Sequence, residues 1–105
     1  MGQPVRQGVK PVTEITKSIL VLSRRDHREA MRVAAGLTIF GHQVRLVFMG
    51  KPLSEADVSG EQAELLELAE IEPETTIAAL ADELNCLDAP ALGAAILSSD
   101  LVVNV

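Results

Sequence analysis

Ser18-Ile-Leu-Val-Leu-Ser23, then Arg24-Arg-Asp-His-Arg-Glu-Ala30 and on to Gly41, then Val44-Arg-Leu-Val-Phe-Met49: how these 32 residues are read decides the fold. Residues 18–23 are a short apolar run rich in branched side chains with no helical period, as expected of a strand buried on both faces. Asp26 offers an N-cap oxygen and Glu29 stands three residues later, the spacing of a capping box, so a helix should begin there. From it Ala30, Val33, Ala34, Leu37 and Phe40 recur at intervals of three and four, a stripe for packing on a sheet, while Arg28 and Arg32 fall off that stripe. Gly41 sits where a left-handed residue closes a helix. Val44, Leu46, Val47, Phe48 and Met49 then form a second strand, closed by Gly50 and Pro52. Strand, helix and strand at this spacing make a βαβ unit, whose crossover is right-handed and whose strands are parallel neighbours.

Outward from that unit the pattern continues. Residues 51–60, with Pro52, Ser54, Ser59 and Gly60, are too polar to be buried and are expected to be a loop. Gln62–Glu70 mixes Glu64 and Glu67 with Leu65, Leu66 and Leu68, an acidic amphipathic helix that Pro73 ends. Thr75–Leu80 is expected as a third strand, with a helical turn as its competitor because of its alanines. Asp88 followed by Pro90 marks a helix start for Ala91–Leu97, and Leu101–Val105 reads as a final strand tied into the sheet. The expected fold is a doubly wound α/β domain over residues 17–105: a mainly parallel sheet of about four strands, with helices on both faces. In it the first strand, residues 18–23, pairs with the second, residues 44–49, on one side and with strands of the C-terminal half on the other. Residues 1–16 carry Arg6 and Lys10 without the apolar core of a secretory signal and read as a flexible tail.

Composition narrows the function classes. The chain of 105 residues suits one compact core, and 48% of it is hydrophobic. Trp and Tyr are absent and Phe40 and Phe48 are the only aromatic residues, which leaves few platforms for stacking bases and argues against nucleic acid. Apolar stretches of about five residues fall far short of the roughly 20 that span a bilayer, so no membrane partner is expected and the address is cytoplasmic. The single Cys86 has no partner for a disulfide within the chain. Charge is divided: residues 1–51 hold all nine Lys and Arg against Glu14, Asp26 and Glu29, a net of +6, and the remainder holds twelve acids with no Lys or Arg. Such a division suits either two solvated faces or a complementary contact between subunits. Together with the apolar content, it predicts an oligomer.

Ligands of open parallel sheets bind beyond the carboxyl ends of the strands. After the first strand come Ser23, Arg24, Arg25, Asp26 and His27, where two guanidinium groups meet a helix N-terminus. That combination favours a small anion, either phosphate or a sulfur oxyanion. Neither G-x-G-x-x-G nor the Walker A pattern occurs, so no dinucleotide or other cofactor is expected. The bland alternative is a capped helix with solvated arginines. Ser23, His27 and Asp26 are too close together at one helix start to make the linear relay of a catalytic triad. Met49-Gly50-Lys51-Pro52 is a turn for which Gly50 is sufficient reason. Cys86 is the one candidate for covalent chemistry, yet Asp82, Glu83 and Asp88 nearby disfavour its thiolate. His27, His42 and Cys86 lack any ligand spacing, so no metal is expected.

Ile19-Leu-Val-Leu-Ser23, the helix ending in Gly41-His42, and Gln43-Val-Arg-Leu-Val-Phe-Met-Gly50 together resemble the opening of the DsrE-like sulfur-relay family. Ala91–Val105, with Ser98-Ser-Asp-Leu-Val-Val-Asn-Val105, is similar to its closing helix and strand. About half the chain is covered. The resemblance implies a parallel α/β sheet and homo-oligomers, or hetero-oligomers with related subunits. In some members it implies a cysteine that carries persulfide sulfur. Catalytic members place that cysteine in a small-residue-rich segment followed by a basic, glycine-containing turn, whereas Cys86 is flanked by acids. The resemblance therefore implies a non-catalytic or accessory subunit in intracellular sulfur transfer. The alternatives are a sulfurtransferase using Cys86 and a small-anion-binding module.

Overall fold

The computed structural model describes residues 16–105; all but the last residue of the expected tail lies outside them. Strand β1 (Ser18–Ser23) leads into helix α1 (His27–Ile39) and strand β2 (Gln43–Phe48). A short helix α2 (Glu55–Ser59) and helix α3 (Glu61–Leu68) precede strand β3 (Glu74–Thr75), a 3₁₀ turn (Ala78–Leu80) and strand β4 (Asn85–Cys86). Helix α4 (Ala89–Ser98) and strand β5 (Leu101–Asn104) complete the order. All pairings are parallel, in the order β4-β3-β2-β1-β5. The fold is the expected α/β one, with five strands rather than four.

β1 lies inside the sheet. Val21 stands opposite Leu46 and Val103, and Leu22 opposite Val47 and Asn104. Its period-two alternation feeds both layers: Ile19 and Val21 join Leu46, Phe48, Met31 and Leu66 on the α1–α3 face, while Leu20 and Leu22 join Val47, Leu87 and Ala95 on the α4 face. Among the described residues only β5 comes to the far side of β1; β3 and β4 extend the sheet beyond β2. On the α4 face, β2 to β4 carry a polar row where a helix would otherwise be needed. Arg45 donates to both carboxylate oxygens of Glu74 at 2.9 Å, and Asn85 Nδ2 donates to Glu74 at 3.2 Å.

Four expectations need correction. The third strand is only Glu74–Thr75: Thr75 Oγ1 donates to the Phe48 carbonyl and accepts from the Ile77 amide, which turns the chain into the 3₁₀ segment instead of extending it. Residues 51–60 are not all loop, because Ser54 and Asp57 cap each other's backbone and start α2. α3 stops before Pro73 is reached: Glu70 takes φ +60° and its amide turns back onto Glu67. On α1 the buried set is His27, Ala30, Met31, Ala34 and Ala35. Val33 and Leu37 lie half-buried on the flank, and Phe40, the C-cap, is 79% exposed. The stripe is centred on the alanines, which let the helix approach the sheet closely.

The expected caps are present. Asp26 accepts from the Glu29 amide and Asp88 from the Ala91 amide. Gly41, at φ +93°, closes α1 with its amide on the Thr38 carbonyl and the His42 amide on Leu37.

Candidate functional site

The chain leaves β1 for β2 on one side, and β5 arrives on the other, so the carboxyl ends of β1 and β5 flank the topological switch point of the sheet. A cavity of about 450 Å³ opens there, lined by Arg24, Arg25, Met49, Gly50, Asn104 and Val105. Its back wall is main chain. The amides of Arg24 and Arg25 both donate to the Val105 carbonyl, at 2.8 and 3.0 Å, and the Met49 amide donates to the Ser23 carbonyl at 2.8 Å. Gly50 is required by position: φ is +83°, and a Cβ there would sit 3.0 Å from the Arg24 carbonyl oxygen. With the Arg24 and Arg25 amides already bonded, an anion in this cavity would be held by the two guanidinium groups.

Of the four residues expected to meet an anion, Arg24 and Arg25 are exposed, and Ser23 and His27 are not. Ser23 is 0% and His27 2% exposed. Nε2 of His27 lies 2.7 Å from the Lys51 carbonyl, which can only accept, so Nε2 carries the proton and Nδ1 accepts from the Ser23 hydroxyl at 2.5 Å. The ring also meets Phe48 edge-on, 5.0 Å between centroids. Serine and histidine thus form one buried tie joining the end of β1, the start of α1 and the turn after β2. Asp26 takes no part in it. The third partner is a backbone carbonyl, to which no residue type in the sequence points.

Arg25 also borders a second, polar cavity of about 390 Å³ with Arg28, Lys51, Ser54 and Asp57. Burial alone would raise the Asp57 pKa. Hydrogen bonds from the Ser54 amide and hydroxyl, with a smaller contribution from the Arg28 guanidinium, outweigh it and hold the carboxyl below its ordinary 3.8. Ser54-x-x-Asp57 was the sequence signal for this wall, a capping spacing inside the expected loop.

Cys86 is a free, exposed thiol on β4. The register places it in one row with Thr75, Phe48 and Ser23, three strand spacings or about 14 Å from β1. It therefore shares the carboxyl end of the sheet but not the switch-point cavity. Among the described residues no group of three or more His, Cys, Asp or Glu could hold a metal ion, and no helix is long and apolar enough to cross a membrane. No family model, curated protein or solved structure significantly matches this chain.

Proposed function

We propose that the chain is a non-catalytic subunit of the DsrE-like kind, serving sulfur relay through association with a second copy of itself. The observation that carries this reading is the β5 margin. Among the described residues β5 is an edge strand with one side unpaired, and exposed apolar side chains stand near it: Leu101 (51%) on the strand itself and Leu97 (88%) on α4, a helix without a single charged residue. Edge strands that stay alone are normally protected by lysine, proline or a bulge, and Leu-Val-Val-Asn has none of these. An uncharged surface next to a free edge is self-complementary, which suits a twofold contact with a second copy. The polar tie that consumes Ser23 and His27, and the acids around Cys86, support the non-catalytic part.

Two measurements test the reading on the full chain. Light scattering at micromolar concentration should give at least twice the 11.2 kDa chain mass, and Leu97→Glu with Leu101→Lys should return it to the monomer. A monomeric wild type would overturn the association. Incubation with a persulfide donor should leave the intact mass unchanged; a stoichiometric gain of one sulfur on Cys86 would replace the reading with that of a sulfurtransferase.

A further inference from the structure

On the α1 face, away from the switch point, a groove of about 430 Å³ runs between α1, α3 and the segment around Leu84. Its floor is Met31, Phe48 and Leu66, all buried core residues, so the groove reaches down to the hydrophobic layer itself. Its rim is of one sign. Asp57, Glu64, Glu67 and Glu83 line it, and among the described residues no Lys or Arg does. Asp57 is engaged by Ser54 and lies 3.8 Å from Arg28. Glu64, Glu67 and Glu83 are exposed and make no ion pair among the described residues.

We propose that this groove binds an aliphatic ammonium, a small ligand with an apolar body and a cationic amine. The floor offers burial to a hydrocarbon chain, and a low-dielectric wall ringed by carboxylates concentrates cations and repels anions. The volume is that of a small-ligand site. A partner helix would need anchor pockets spaced over several turns, and this groove is bounded on one side by α3, which has only eight residues. The site is independent of the β5 margin and of the sulfur-relay reading.

Octylammonium, octanol and octanoate share one body and differ in head group, which makes them the probes of choice. Titrated calorimetrically into the full chain at neutral pH, below their aggregation concentrations, octylammonium should bind once per chain and shift the Met31 methyl resonance. Octanoate should bind at least tenfold more weakly, with octanol between them. Glu64→Gln with Glu67→Gln, both at exposed positions and so harmless to folding, should bring octylammonium down towards the octanol level. Equal binding of octylammonium and octanoate, the absence of saturable octylammonium binding, or saturation that leaves the Met31 methyl unmoved would each overturn the proposal. So would a basic amphipathic peptide that occupies the groove where octylammonium does not, which would assign the site to a protein partner.

Discussion

The Ser23 hydroxyl donates to His27 Nδ1 over 2.5 Å while the opposite ring nitrogen donates to the Lys51 carbonyl, so one imidazole fastens three chain segments at the carboxyl end of the sheet. His27→Ala would leave the Lys51 carbonyl unpaired and open a cavity beside Phe48, at a cost of about 2–4 kcal/mol. Ser23→Ala removes one partner only and should cost about 1 kcal/mol. Urea denaturation of both variants and their double mutant checks this, and the sum should be non-additive because the two residues share a bond. Ser23 should also resist fluorophosphonate labelling in the native state; a labelled Ser23 would mean that the tie opens.

Backbone conformation gives a graded set of substitutions. Gly41→Ala meets no atom within 4 Å and should cost about 1 kcal/mol, from its positive φ alone. Gly50→Ala adds a contact at 3.0 Å with the Arg24 carbonyl oxygen and should cost clearly more, about 2–3 kcal/mol. Glu70 has the same sign of φ with a side chain in place, so Glu70→Gly should stabilise the protein by about 0.5–1 kcal/mol. Denaturation midpoints that ranked the three in any other order would contradict the assignment of these turns.

Acid should act through Glu74 and Asp57. Hydrogen bonding to Arg45 is the main cause of the lowered Glu74 pKa, against the opposing effect of burial. Both carboxyls are lowered in the folded state, so each binds its proton more readily when unfolded. Their contribution is complete above the unfolded values, near 4.5 and 3.8, and is lost as pH falls through the folded ones. Stability should therefore hold down to about pH 5 and decline below it. Glu74→Gln should flatten part of that decline and cost no more than about 1 kcal/mol at neutral pH, as its partner Arg45 is largely exposed. Urea midpoints between pH 3 and 7 measure both effects.

Arg24 and Arg25 are the two cations of the switch-point cavity. Sulfate, thiosulfate and phosphate should raise the melting temperature of the wild type, and Arg24→Ala with Arg25→Ala should abolish the rise. An unchanged rise in the double variant would remove the arginines from anion binding.

What could be read from the sequence was local. β1, β2 and the caps Asp26, Gly41 and Asp88 are each set by residues within a few positions of one another, and all were legible. β3 and β4 are two residues each, held by pairing to Val47, Phe48 and each other, and no local period marks so short a strand. Phe40 was misplaced because an i, i+3, i+4 stripe can be drawn on either side of a run of alanines, and only the sheet decides which side is covered. The spacing of Ser23 and His27 was visible, but the carbonyl that turns the pair inward belongs to Lys51, whose side chain says nothing about it. The apolar groove draws on segments from Met31 to Leu84 and had no continuous signal.

The two margins of the sheet differ in character, and that difference bears on how far an assembly can grow. At β4 the edge is two residues long, bordered in sequence by Asp82, Glu83 and Asp88, and its α4 face carries the Arg45–Glu74–Asn85 row; like charges there would repel a second copy. At β5 the strand itself and helix α4 carry no charged side chain, and the one acid between them, Asp100, accepts from the Ser18 amide. A twofold contact through β5 would use the adhesive margin of both copies at once and leave acidic rims outward, so association would be finite, ending at a closed pair with no route to a filament.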